Sequence, residues 1–489
     1  MGVAAALALG LVQGTSNAED PDLSWPPATL GAGDIGFIVE DAWLLNSNIR
    51  VPTPGWQPSC TTMDDPACAI PAEKHGWWIE RVAPPCTQAL PWEECVEALS
   101  LTLPSSGTRD LARTGLAPGR SFPPDADRGM PTGSTISLYD DPDSMEPNVG
   151  YAVYLGGQMG GREGPFRFGD FAAQVIRYRE VPQGQQPGAG RCLWYGAGTC
   201  AYRLPFEEGS KITLSVRMSE RMTGWLGGRL EDPSIDITPL GQGLNRLTVT
   251  ALPVDVPLVA AQIPTGQATP EILDYWRETF TCAGPKPCEE GVMSGQSSGI
   301  HGPDLLRLFQ GFLGDTATKS IPTWSLVSLP KPARGACLED TSRLVGLVTT
   351  NATVYDGNPP ALVDGALAYR VAALHNVPGG QPLSGTYDLV LRSDAARCLY
   401  GLSKAPIKAE IQVTSEDGAD QVATTAVSEK GGWLHLAAYG FSFSQPTISA
   451  RLTGKQPSTT IMCRKGKKTK KIKGVAPKCP KGWRLVKAS

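Results

Sequence analysis

At 489 residues the chain is long enough for two or three domains with sizeable buried cores. Its 55 glycines and 43 prolines suit a turn-rich β protein and argue against a mainly helical one. The formal charge of −4 hides an asymmetry: 11 of the 44 basic residues, and none of the 48 acidic ones, lie from Ile461 onward, so the rest of the chain carries a balance of −15.

Residues 1–18 read as a signal peptide. An apolar run from Val3 to Val12 is followed by Ser16-Asn17-Ala18, small residues that place cleavage before Glu19. The run is too short to span a bilayer, no later stretch reads as a membrane helix, and the usual basic start is missing. Residues 19–130 form an N-terminal region of disulfide-clipped loops, with short strands expected in "GFIVEDAWLL" and "CVEALSLTLP". Residues 131–260 form a first β-sandwich module. There "KITLSVRMS" sends Ile212, Leu214, Val216 and Met218 to one face, and "RLTVTAL" does the same with Leu247, Val249 and Ala251.

Residues 261–320 break that alternation and read as a small helical insert. In "TPEILDYWRETF", Thr269 is placed as N-cap and Pro270 as first helical residue, with Ile272, Leu273, Trp276 and Phe280 at helical spacing. "GPDLLRLFQGFLGD" gives a second helix carrying Leu305, Leu308, Phe309 and Phe312. Residues 321–455 form a second module, whose strands are "ALAYRVAAL", "TYDLVLRS", "IKAEIQVTS" and two in "GWLHLAAYGFSFSQPTISARLT". Three matches in the same order suggest that the modules are copies: "RCLW" (191–194) with "RCLY" (397–400), "SERMTGWL" (219–226) with "SEKGGWL" (428–434), and "PSI" (233–235) with "PTI" (446–448). The expected fold is therefore mainly β, with two immunoglobulin-like sandwiches, the helical insert between them, and a basic tail at 456–489.

Twelve cysteines behind a signal peptide read as disulfides. Nearest neighbours are taken as partners, although spacing leaves connectivity open: Cys60 with Cys68, Cys86 with Cys95, Cys192 with Cys200, Cys282 with Cys288, Cys337 with Cys398, and Cys463 with Cys479. Four scattered histidines and no C-x-x-C knuckle give no zinc site, and no cofactor motif is present.

In the tail, Thr459–Arg464 and Thr469–Lys473 can pair around "KGKK", clipped by Cys463 and Cys479. Arg464, Lys465, Lys467, Lys468, Lys470, Lys471, Lys473, Lys478 and Lys481 would then form one compact cationic surface suited to an anionic cell-envelope polymer or surface partner. Lysine in excess of arginine, with Trp483 the single aromatic, argues against nucleic acid.

Other motifs read more weakly. "GQSSG" (295–299) fits the nucleophile-elbow pattern with Ser297 as nucleophile, and Asp315 or Asp340 and His375 or His435 follow in order; yet the preceding "CEEGVM" does not read as the strand the elbow requires. Asp140, Asp141, Asp143 and Glu146 crowd one loop without EF-hand spacing, so a solvated turn is preferred to a calcium site. His75, Trp77 and Trp78 could face a sugar, but core packing accounts for them better. Asn351 is a formal glycosylation acceptor.

The tail, "TIMCRKGKKTKKIKG" followed by "PKCPKGW", resembles a C-terminal element of uncharacterised secreted and cell-surface proteins of actinobacteria. "CTQALPWEECVEALSL", "PTWSLVSL" (322–329) and "TTAVSEKGGWLHLAAYGFSFSQPTI" are similar to the same group. The resemblance implies a secreted or envelope location and carries over no catalytic or binding residue. The sequence thus points to a secreted or envelope-associated interaction or structural protein. An extracellular hydrolase using Ser297, or a carbohydrate-binding module using the N-terminal tryptophans, stand as alternatives.

Overall fold

The computed structural model describes residues 34–40, 46–50, 59–69, 76–187, 192–220, 224–279, 291–296, 302–329, 337, 344–415, 418–421, 423–443, 446–475 and 477–488. The chain is mainly β, with four sheets and three α-helices among these residues.

The alternating segments do what period-two patterns dictate. Lys211–Ser219 buries Ile212, Leu214, Val216 and Met218, and Leu244–Leu252 buries Leu247, Val249 and Ala251. With Glu231–Gly241, Cys95–Leu103 and Gly107–Asp110 they form a five-stranded antiparallel sheet, here the first outer sheet. A second outer sheet contains Val354–Tyr355, Ala366–Ala372, Thr447–Thr453 and Lys408–Thr414, with Ala361–Val363 beside Ala366–Ala372.

Both outer sheets pack on one 17-stranded central sheet. Its spine runs Ala112–Leu116, Ser137–Asp140, Val149–Gly161, Ala172–Pro182, Lys319–Ser328, Trp225–Arg229, Gly346–Thr350, Gly385–Arg392, Trp433–Phe441 and Thr424–Lys430. The first outer sheet meets one face through Val153, Val175, Leu226, Trp324, Leu347 and Val390. The second meets the opposite face through Trp225, Val348, Leu389, Leu391, Leu434 and Leu436. Neighbouring residues of one strand thus enter different cores. Trp225–Arg229 and Gly346–Thr350 are buried at every position and pair in parallel, which suits a strand covered on both sides. The layers thus stack as two sandwich-like halves that share their middle sheet.

The helical segment is also drawn into this assembly. α1 (Pro270–Thr279) starts as expected, its Ile272 N–H donating to Thr269 Oγ1 at 3.3 Å. α2 (Gly302–Leu313) buries Leu305, Leu306 and Phe309 against Val259, Val354, Ala372 and Leu374. Val254–Pro264 joins the central sheet through Lys319–Ser328, and Asp34–Glu40 and Gly291–Gln296 follow it in turn. The N-terminal region likewise supplies sheet strands as well as loops, Trp77–Val82 among them.

Two of the three internal matches occupy equivalent places. Trp225-Leu226 and Trp433-Leu434 each open a central-sheet strand, and in each the leucine enters its own module's core while the tryptophan packs on the other. Ile235 of "PSI" and Ile448 of "PTI" each lie in the outer-sheet strand that follows. The third match fails: Trp194 is in a two-residue strand, whereas Arg397–Tyr400 ends α3 (Ser393–Tyr400), capped by the left-handed Gly401.

Five disulfides form with the expected partners, Cys60–Cys68, Cys86–Cys95, Cys192–Cys200, Cys337–Cys398 and Cys463–Cys479; Cys282 and Cys288 lie outside the described residues. Residues 1–18 also lie outside them, and no helix among the described residues is long and apolar enough to cross a membrane.

Candidate functional site

The basic tail folds as a sheet that pairs only with itself. Thr459–Lys465 and Lys468–Gly474 form a hairpin closed at Gly466, whose φ of 58° is left-handed, and Arg484–Ala488 adds a third strand on the other side of Thr459–Lys465. That third strand is not expected from the sequence, where Leu485-Val486 between basic residues gives no alternation to read. Ile461 and Cys463 are buried, and the Cys463–Cys479 bond ties the third strand's approach to the hairpin. So small an apolar core depends on such a staple. Residues 454–458 lead into it from the second outer sheet, with Ser403 N–H donating to Lys455 O at 2.7 Å.

Register decides what this sheet presents. Lys465 stands directly opposite Lys468, Lys470 opposite Cys463, Lys471 opposite Met462 and Lys473 opposite Thr460. Arg464 is flanked by Thr469 on one side and Arg484 on the other. Because side chains alternate, Lys465, Lys468 and Lys470 share one face while Arg464, Lys471, Lys473 and Arg484 share the other. Lys467 sits in the turn, and Lys478 and Lys481 flank Cys479. All nine expected binding residues are exposed, and none forms an ion pair among the described residues. Like charges placed opposite each other destabilise a sheet by roughly 0.2–1 kcal/mol per pair, and the tail from Ile461 onward holds no acidic residue to neutralise them. A surface built so gains on meeting an anion, and the gain weakens as salt screens it.

Elsewhere the structure reassigns several candidates. Ser297, His75 and Asp340 lie outside the described residues. The segment before Ser297 is a strand after all: Gly291–Gln296 pairs in parallel with Asp34–Glu40, Val292 its one β-branched residue, and α2 follows at Gly302. Asp315 and His375 come together, Nδ1 to Oδ1 at 2.5 Å, on an exposed surface where Asn376 also donates to Asp315. His435 pairs instead with Asp388, Nε2 to Oδ1 at 2.6 Å. Tyr439 Oη donates to the same carboxyl at 2.5 Å and the Asp232 N–H at 3.4 Å. Burial pushes Asp388 up despite the hydrogen bonds from His435 and Tyr439 that act the other way, and burial with Asp388 pushes Tyr439 up. Asp388 is wholly enclosed and His435 partly exposed, and the cluster joins the central sheet to the first outer sheet through Asp232.

The acidic loop is committed to arginines. Arg109 grips Asp141 with two N–H groups, and Arg177 and Arg179 hold Glu146 at 2.6 and 2.7 Å. Arg109 brings the Asp141 carboxyl below the ordinary aspartate range against the opposing effect of burial. Trp77 packs edge-on to Phe166 at 6.4 Å and donates to Cys68 O, while Trp78 is exposed. The Asn351 side chain is turned inward, donating to Ser384 O and accepting from Thr386 N–H.

No family model matches the chain, and no curated protein or solved structure is significantly similar to it.

Proposed function

We propose that the protein is a secreted, envelope-associated interaction protein whose tail sheet holds an acidic, disulfide-braced body to an anionic polymer of the cell surface. The observation that carries this reading is the array of exposed cations on both faces of the tail sheet, none of them in an ion pair among the described residues. The five disulfides and the tail's resemblance to actinobacterial surface proteins support the location. The body's balance of −15 keeps the remainder of the chain from lying flat on the same polymer.

The test is elution from isolated cell envelopes with a salt gradient. The full chain should stay bound at low ionic strength and come off as the Debye length falls toward about 3 Å near 1 M salt. A chain ending at Thr453 should appear in the first wash. Equal retention of the two would remove the tail from any attachment role.

A further inference from the structure

At the end of the first outer sheet lies an open cleft of about 300 Å³ between the loop 204–210, the start of Glu231–Gly241, the turn at Pro253 and the strand edge at Pro322. Two kinds of surface line it. Pro205, Phe206, Leu252, Pro253, Val254 and Pro322 are apolar, and Glu207, Glu208, Glu231 and Asp255 are acidic; no lysine, arginine or histidine is among the lining residues. Ser210, 1% exposed, is also in the wall, and its buried hydroxyl makes no hydrogen bond; Glu207 Oε2 is likewise buried without a partner. Buried polar atoms without a partner are uncommon in folded proteins, and the residues of two of them line this one cleft.

We propose that this cleft binds an organic ammonium ion carried on a short methylene chain, of the kind presented by an alkyl diamine or a lysyl side chain. The choice follows from the spacing of the acids. They do not converge closely enough to hold a metal ion, since no group of three potential ligands does so among the described residues. A larger cation can span them, with its methylenes against the prolines and Phe206 and its ammonium among the carboxylates. The nearby cations are occupied. Arg177 lies 3.6 Å from Glu207 Oε1 and also holds Glu146, Lys211 pairs with Asp232 at 2.5 Å, and Arg203 donates to Pro322 O. Burial, and then the carboxyls of Asp388 and Asp232, hold Glu231 above the ordinary glutamate range, as befits a site short of positive charge.

The experiment is calorimetric titration of the full chain with 1,5-diaminopentane, and with 1,5-pentanediol as the neutral isostere. The diamine should bind saturably at one site and the diol should not. The double variant Glu207→Gln/Glu231→Gln should lose at least tenfold in affinity, Ser210→Ala should lose less, and Glu163→Gln, on an exposed loop elsewhere, should match the wild type. Sedimentation then tells the source. Self-association that the diamine reverses, and that a chain ending at Thr453 lacks, identifies lysines of a second copy's tail; a monomer at all concentrations identifies a free amine. Absence of diamine binding, equal binding of the diol, or an unaltered affinity in a folded double variant would overturn the proposal.

Discussion

Gly346 stands beside Trp225 in the parallel pair at the centre of the molecule, and a Cβ there would lie 2.4 Å from the indole ring. The indole is fully buried and cannot swing away, so Gly346→Ala should cost about 1–3 kcal/mol of unfolding free energy, read as a lowered denaturation midpoint. Glu231 makes the opposite case, a native residue that opposes folding at neutral pH. Its folded-state pKa lies above the ordinary value because of burial, Asp388 and Asp232. The stability it contributes is therefore full below the ordinary glutamate range and is lost as pH rises through the raised pKa. Glu231→Gln should match the wild type below about pH 4 and melt at a higher temperature than it at pH 7. Neither effect was legible in the sequence. Gly346 meets Trp225, and Glu231 meets Asp388, only across separations of more than a hundred positions.

At the scale of elements, the local signals were dependable wherever one face met water. The strands 211–219 and 244–252 and the Thr269 cap of α1 follow from spacing alone. Two strands covered on both faces escaped, since "GLVTT" and "WLGGR" show no alternation to read, whereas the equally covered Gly385–Arg392 was betrayed by its run of strand-forming residues. The tail hairpin was visible through its lysines and turn, but its third strand was not, and so Arg484 beside Arg464 was missed. Disulfide partners followed from proximity in sequence, and their effects should differ with loop length. Opening Cys337–Cys398, which closes 61 residues, should cost about 4 kcal/mol, against about 2.5 for the eight-residue separation of Cys60–Cys68. Paired alanine variants compared by chemical denaturation would show whether that order holds.

For the molecule as a whole, the shared layer governs cooperativity. Val390 belongs to one core while Leu389 and Leu391 belong to the other, so neither outer sheet can leave without exposing strands that its counterpart needs. Calorimetry should record one transition for the body. A fragment spanning 19–330 should bind the dye ANS and lack sharp near-ultraviolet dichroism, because its strand 225–229 would have lost Gly346–Thr350 and one entire covering sheet. A fragment that melted like the intact first half would show that the layers are energetically separate.

The link at 454–458 continues directly from Thr447–Thr453, a strand hydrogen-bonded on one edge to Ala366–Ala372 and on the other to Lys408–Thr414. A pull along that strand, delivered through the tail, loads two ladders at once and in shear. Its bonds must then rupture together instead of peeling open one by one. Were the tail the point of attachment proposed above, the load would reach the body through a seam that resists force.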